Sequence, residues 1–459
     1  NFFSNILSGK SKLFKFKRLF TIMLLSKIFF PLTKNLPSDA KIKSHQLMLR
    51  VGMIKQSSAG IYSWLPLGFK ILKKIENIVR QEQNNIGAQE MLMPTIQSAD
   101  IWKESGRYND YGDEMLRIKD RQGREMLYGP TNEELITEIF RSSVKSYKSL
   151  PQMLYHIQWK FRDEVRPRFG IMRCREFYMK DAYSFDTSDA EAKKSYNKMF
   201  FSYLKIFSKL GLKAIPMAAD TGPIGGELSH EFIILADTGE SNVYANKSIF
   251  DINTDKYDFS EKSLEKMRDD FSSYYAVTDE KFNQNDFDSK VKKSDQISTK
   301  GIEVGHIFYF GDKYSKPLNC LVDHQEGKKV AVKMGSYGIG VSRLVGALIE
   351  AHFQNDVMKW PKSVSPYDVV IIPNINKNNK QSFETAMKIY KEMQKQKIDV
   401  LLDDVDENMS AKFKKHDLIG IPYQIIIGSK SEENRFEFKE VNKSATLMNL
   451  EEIIKKIKN

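Results

Sequence analysis

Residues 161–181, FRDEVRPRFGIMRCREFYMKD, bring Arg162, Arg166, Arg168, Arg173 and Arg175 together with Glu164, Glu176 and Asp181. Read as two strands, 155–164 and 173–185, around a loop holding Pro167, Phe169 and Gly170, the segment predicts an antiparallel pair with a long connection. Side chains alternate faces along a strand, so Arg162 and Glu164 should share one face, and Arg173, Arg175, Phe177, Met179 and Asp181 likewise. Arginine forks match phosphate oxygens, and an aromatic face can stack on a purine. Such a face suits an anion-and-base pocket; the same composition also fits a solvated, salt-bridged hairpin.

Three further segments carry candidate chemistry. In GSYGIGVSR (335–343), Gly338 and Gly340 allow a backbone to approach a ligand closely, but Arg343 takes the third position of the dinucleotide fingerprint and no Walker lysine follows. Arg343 near the start of an apolar helix opposes the helix dipole, a conflict that an anionic ligand would relieve and that solvent would also ease. In GPTNEE (129–134), Thr131 and Glu134 have the spacing of a capping box for the next helix, which leaves Glu133 free to face a pocket. In ADTGPIGGELSHEF (219–232), Gly222, Gly225 and Gly226 precede His230, which fits a ligand-facing loop or a satisfied core histidine.

The elements that must position these groups follow from periodicity. Helices are predicted over 40–55, 68–86, 132–147 and 190–210, and short strands at 91–94, 228–236 and 304–310. Residues 330–354 read as strand, glycine turn and apolar helix. Residues 241–300 contain no Gly or Pro and predict a small, partly helical insertion with a weak core. After a boundary near Trp360–Pro366, VVIIP (369–373), a helix over 380–397, DVLLDD (399–404), a helix near 409–419 and YQIIIG (423–428) alternate as a small α/β domain.

Bulk properties bound the reading. The chain has 459 residues, enough for roughly three domains. Its net charge of +12 fits a polyanion partner or a lysine-rich genome. The surplus is uneven: residues 1–38 hold seven Lys/Arg and no acid, whereas residues 366–459 hold sixteen against fifteen Asp/Glu. Two cysteines, Cys174 and Cys320, exclude a disulfide framework and a Cys-rich zinc site, and point to a reducing, intracellular setting. The longest apolar stretch, near 19–33, is short and interrupted by Lys27, so no membrane span is expected. Residues 1–22 read as an upstream extension ahead of Met23 or, alternatively, as an organellar transit peptide.

In this order and spacing the four segments resemble the active site of class II aminoacyl-tRNA synthetases. GAQEMLMP (87–94) resembles motif 1, a helix and strand ending in proline at a dimer interface. Phe161, Arg162, Glu164, Arg173, Phe177 and Asp181 match motif 2, and GIGVSR (338–343) matches motif 3. The finer resemblance is to bacterial-type prolyl-tRNA synthetases, from Met23 to about residue 450. It is carried by SAGIYSWLPLG (58–68), WKESGR (102–107), GPTNEE, KFRDEVRPRFGIMR (160–173), GIEVGHIF (301–308) and DLIGIP (417–422).

That resemblance implies an α+β catalytic domain, an antiparallel sheet flanked by helices, plus a C-terminal α/β anticodon-binding domain. The implied divisions are an extension at 1–22, the catalytic domain at 23–240 and 301–365, the insertion at 241–300 and the anticodon-binding domain at 366–459. The short insertion replaces a large editing domain, which implies a separate deacylase acting in trans. The implied partners are proline, ATP with Mg²⁺, and tRNA(Pro), with a homodimer in the cytoplasm, or in an organelle if residues 1–22 are a transit peptide. By resemblance, Arg162 contacts the α-phosphate and the proline carboxylate, Glu164 the adenine edge, and Phe177 stacks on adenine. Arg343 and Arg173 hold the γ-phosphate, and Gly338 and Gly340 shape the nucleotide site. Thr131, Glu133, Asp181 and His230 form the proline pocket, with Arg162 at its edge. Asp403, Asp404 and Lys412 lie where such domains read bases. A threonyl enzyme would need a zinc cluster that neither cysteine provides, and a catalytically silent paralogue would usually lack one of the arginines or the tail.

Overall fold

In a computed structural model of the chain, residues 23–33, 35–219, 228–325, 327–375, 380–428, 431 and 434–458 are described. Residues 1–22 and the glycines at 222, 225 and 226 lie outside them. Two compact units form: one of residues 29–366 with 413–422, the other of residues 23–28, 367–412 and 423–458.

The larger unit is built on a nine-stranded sheet. Its order is Leu228–Leu235, Ala214–Ala218, Ala276–Thr278, Ser241–Asn246, Gln296–Gly311, Lys333–Ile339, Glu176–Asp186, Gln152–Phe161 and Gln89–Glu90. Neighbours are antiparallel except at the 214–218/276–278 and 89–90/152–161 contacts. The expected antiparallel pair is present, but it stops at Phe161 and resumes at Glu176. Arg162, Glu164, Arg173 and Arg175 therefore lie beyond the strand ends, and strand alternation does not govern them. Arg173 and Arg175 in fact diverge: Arg175 Nη2 meets Asp163 Oδ1 at 2.5 Å, while Arg173 Nε meets Glu164 Oε2 at 2.8 Å.

The helix Asp189–Lys209 supplies much of the core. Ser188 caps it, accepting from Glu191 N at 3.3 Å, and acids occupy its first turn. Tyr196, Phe200, Tyr203 and Phe207 then recur at helical spacing. All four are buried, and Phe232 of the sheet meets the rings of Phe200, Tyr203 and Phe207 at centroid distances of 5.3, 5.1 and 5.6 Å. Pro66 starts the helix Pro66–Asn85, where its missing N–H costs nothing.

Several expectations are corrected. The insertion joins the main sheet: Ser241–Asn246 and Ala276–Thr278 are strands of it, and the expected boundary at 300 falls inside Gln296–Gly311. Gly301 pairs with both Leu235 and Ser241, so the long strand changes partners there. A Cβ at 301 would lie 2.2 Å from Ile233 Cγ2, so only glycine lets these strands close. The insertion's core is also not weak, since Val243, Ile249, Leu264, Met267, Phe271 and Phe287 are buried. Residues 91–94 form no strand; the pairing sits one step earlier, at Gln89–Glu90. The first helix is Lys43–Arg50, shorter than 40–55, because Ile54–Ser58 pairs with Ile61–Trp64 as a hairpin.

The smaller unit is a five-stranded sheet in the order Val400–Leu402, Val369–Pro373, Tyr423–Ile427, Arg435–Glu440 and Thr446–Asn449. Its first three strands are parallel and interleaved with helices Lys380–Lys395 and Met409–Ile419. The last two strands and helix Leu450–Lys458 extend the pattern beyond the sequence reading. Met23–Ile28, expected to open the catalytic domain, belongs to this unit. Leu24 bridges to Leu402 on the open edge strand, Met23 N donates to Tyr390 Oη at 2.7 Å, and Ser26 N donates to Asp404 Oδ1 at 2.8 Å.

Candidate active site

A cavity of about 350 Å³ opens on the sheet of the larger unit, lined among others by Arg162, Glu164, Phe169, Arg173, Phe177, Met179, Glu303, Gly338, Gly340 and Arg343. Every residue expected around a nucleotide lines it. The motif 2 connection supplies Arg162 to Arg173, the following strand supplies Phe177 and Met179, the long strand Gln296–Gly311 supplies Glu303, and the strand–turn–helix at 333–352 supplies Gly338, Gly340 and Arg343. A Cβ at Gly338 would meet the flexible tip of Met179, Cε at 2.3 Å, on the floor of the cavity.

Each arginine is held by the protein. The Arg162 guanidinium lies 5.2 Å from the Phe177 ring centroid and its Nε and Nη2 both donate to Pro130 O at 3.4 Å. Arg343 Nη1 donates to Glu303 O at 2.9 Å and Nε to Met172 O at 3.1 Å. Arg173 pairs with Glu164 and, at 3.3 Å, with Glu240. Two segments about 180 residues apart thus present guanidinium groups to one concave space, as the region between positions 162 and 343 folds back across the sheet.

Carboxylates answer them. Glu231 and Glu303 lie beside His306, with ligand atoms of the three within 4.8 Å of one another. Burial and the neighbouring Glu303 charge push the Glu231 carboxyl up. Burial works against the Glu303 charge too, but a His306 hydrogen bond and the charges of His306, Arg343 and Arg162 hold its pKa down.

Behind Arg162 stands the Thr131–Glu133 pair. Thr131 Oγ1 donates to Glu133 Oε2 at 2.6 Å, and Ser336 Oγ donates to Oε1 at 2.9 Å. The capping box is absent: the helix Glu133–Ser143 has Asn132 at its N-cap without a side-chain bond, because Thr131 turns to Glu133 and Glu134 turns to Arg107. Asp181 is buried next door, 2.8 Å from Lys160, which also donates to Asn132. Burial opposes the Asp181 charge, but Lys160 holds its carboxyl below the ordinary range. His230 is engaged elsewhere: Tyr196 Oη lies 2.6 Å from its Nδ1 and Phe200 packs edge-on. Arg107, the last residue of WKESGR but given no role in the sequence reading, contacts both Glu133 and Glu134.

In the smaller unit, Asp403 and Lys412 are fully buried and 3.5 Å apart. They form an internal ion pair and cannot offer their side chains to an RNA base, which corrects the expectation. Asp404 remains at the surface, accepting from Ser26.

This sheet and its arginine-lined cavity, with an α/β tail, define a class II aminoacyl-tRNA synthetase. Residues 116–352 match the family model of the tRNA synthetase class II core domain (G, H, P, S and T), and residues 368–459 that of an anticodon binding domain. Proline--tRNA ligase of Pelagibacter ubique is 68% identical over 94% of this chain and 98% of its own length. The Bartonella quintana proline--tRNA ligase is 56% identical over 93% and 98%. The chain belongs to the proline--tRNA ligase family. A prolyl-tRNA synthetase of Cryptosporidium parvum, solved with L-proline and AMP, has a TM-score of 0.70 at 15% identity, covering 90% of this chain and 74% of that one. The same enzyme with halofuginone and AMPPNP gives 0.72 at 15% identity, covering 90% and 76%. At that identity both speak for the fold alone.

Proposed function

We propose that the chain activates proline with ATP and transfers it to tRNA(Pro). The observation that carries this reading is the convergence of Arg162 and Arg343 on one cavity, with Arg162 bonded to Pro130 O beside the Thr131–Glu133 pair and within reach of the Glu133 charge. A proline carboxylate oxygen attacks the α-phosphorus of ATP, the bond to the bridging oxygen breaks, and pyrophosphate leaves with its electron pair. The attacking carboxylate is already ionised at neutral pH, so no general base is needed. The 3′-terminal ribose hydroxyl of the tRNA then attacks the prolyl carbonyl, AMP departs, and the hydroxyl proton passes to solvent.

Catalysis in this reading is positioning plus charge stabilisation. Arg162 spans the α-phosphate and the proline carboxylate. Phe177 stacks on adenine, Glu164 reads its edge, and Arg173 and Arg343 take the γ-phosphate of a bent ATP. ATP must then displace the carboxylate partners that now hold Arg173. Glu133 offsets the secondary ammonium of proline. Asp181 acts at one remove, fixing Lys160 and through it Asn132.

The two crowded carboxylates of Glu231 and Glu303 fit a hard divalent cation, and His306 suits a role as hydrogen-bond donor that orients Glu303. Mg²⁺ held there would neutralise phosphate charge. The catalytic domain in this reading comprises 29–365, the tail reads the anticodon, and the short insertion leaves hydrolysis of mischarged tRNA to a separate deacylase. By the motif 1 resemblance the segment 87–94 lies at a homodimer interface, which would cover Leu92, 74% exposed here. A cytoplasmic enzyme is the natural setting. Among the described residues, no helix is long and apolar enough to cross a membrane.

Arg162→Ala tests the reading. It should lower proline-dependent ATP–pyrophosphate exchange by roughly 10²–10⁴, the range for a lost transition-state charge donor; near-normal exchange would contradict it.

A further inference from the structure

Glu133 has little capacity left for a ligand unless its surroundings leave it a net charge. Its Oε2 accepts from Thr131 at 2.6 Å and lies 3.4 Å from Arg107 Nη1, and its Oε1 accepts from Ser336 at 2.9 Å. The same Arg107 nitrogen lies 2.9 and 3.1 Å from the two oxygens of Glu134, which also accepts from Ser105 Oγ at 3.0 Å. The guanidinium cannot drift toward either acid, because Trp102, Tyr111 and Tyr314 surround it at 5.1, 5.6 and 5.0 Å from their ring centroids. One cation is thus shared, unequally, between two buried carboxylates.

Resting on the reading of Glu133 as the ammonium partner, we propose that Arg107 and Glu134 form a charge-setting pair for proline: Glu134 occupies Arg107, so that Glu133 keeps the negative charge that selects a cationic amino group. Arg107 and Glu134 are positioning residues, for neither needs to touch substrate. With both acids ionised, the trio carries one net negative charge, and a bound secondary ammonium brings it to zero. If Glu134 is neutral, Arg107 neutralises Glu133 and the pocket has no surplus charge to offer.

Burial, against the pull of Arg107 and with the push of Glu133, raises the Glu134 pKa to about 7. The pair would therefore titrate near neutrality. The other charges around this group are Lys313 beside Tyr314, Lys160 and Arg162 on the far side of Glu133, Asp181 paired with Lys160, and Glu114 near Tyr111 and Arg162. Arg107 itself pairs with Glu133 and Glu134, so Asp181 and Glu114 do not take the place of Glu134.

The test is KM for proline at saturating ATP, read by pyrophosphate exchange, with KM for ATP as control. In the unaltered enzyme, KM for proline should rise as pH falls from about 8 to 6, while KM for ATP measured at saturating proline does not follow it. Glu134→Gln should raise KM for proline about tenfold, the order expected of neutralising one adjacent buried charge, and flatten that pH profile. The double variant Arg107→Gln/Glu134→Gln removes one positive and one negative charge, so the net charge beside Glu133 is unchanged. It should recover most of the lost affinity, whereas a packing role predicts a double variant no better than the single one. An unchanged KM in Glu134→Gln, or no recovery in the double variant, overturns the proposal. If the variants do not fold, a flat profile in the unaltered enzyme overturns it alone. Glu133→Gln separates the two layers: if it leaves KM for proline untouched, the pocket reading itself fails, whereas a large rise beside an unaffected Glu134→Gln sinks only the charge-setting pair.

Discussion

Asp403 and Lys412 illustrate what single residues conceal. In sequence they are an acid at a strand end and a lysine on the next helix; in three dimensions they are a fully buried pair. Removing one member of such a pair leaves an unpaired buried charge, so Asp403→Ala should destabilise the tail by about 3–5 kcal/mol in urea unfolding. A loss within experimental error would contradict the pairing. His230 gives a pH-dependent counterpart. Burial first, then the positive charges of Lys281, His306 and Arg268, push its pKa down to about 4. An unfolded imidazole takes up its proton near pH 6.5, so in the window from about 6.5 to 4 the unfolded state binds more protons and stability is lost as pH falls. Relative to a His230→Asn variant, the melting temperature of the unaltered protein should therefore drop between pH 7.5 and 5; a constant difference would contradict burial of a neutral ring. Arg162, Glu164, Arg173 and Phe177 were legible as residues because arginines, acids and an aromatic at those spacings make a poor core, and Arg343 because it follows a glycine turn at a helix start, where a cation opposes the dipole. Arg107 was not legible in its role, since WKESGR joins it only to Trp102, whereas Tyr111, Glu133 and Tyr314 reach it from elsewhere in the chain.

At the scale of elements, periodicity located the long helices 66–85 and 189–209 and the strands that bracket motif 2, because each buries one regular face. It failed where tertiary contacts override local preference. Alternation could not describe 162–175, which leaves the sheet to line a cavity, and the Thr131/Glu134 spacing lost its cap to an internal hydrogen bond and an ion pair. The insertion looked weak because its two strands, paired with each other, are flanked by Gln296–Gly311 on one side and Ala214–Ala218 on the other, which local sequence does not show. Gly301 is the pivot of that arrangement. Gly301→Ala should cost about 1–3 kcal/mol, the usual range for forcing extra volume into a packed site. Thermal unfolding that leaves the midpoint unchanged would show that the strand does not need a glycine there.

The whole molecule divides into a sheet that does chemistry and a tail whose charges nearly balance, sixteen basic residues against fifteen acidic in 366–459. A near-neutral tail fits recognition by base contacts more than by a bulk field, since phosphate contacts position while base contacts specify. Association of two copies through the motif 1 segment is testable at this scale. Leu92 is 74% exposed, and Leu92→Glu should convert a dimer to a monomer in light scattering without unfolding it. A monomeric unaltered protein would exclude that interface. The most direct measurement of the central claim is ATP–pyrophosphate exchange with the twenty amino acids offered one at a time to the unaltered protein and to Arg343→Ala. Proline should give the dominant exchange, and the variant should lose it mainly through a raised KM for ATP. Exchange driven best by another amino acid, or a variant whose KM for ATP is unchanged, would contradict the account.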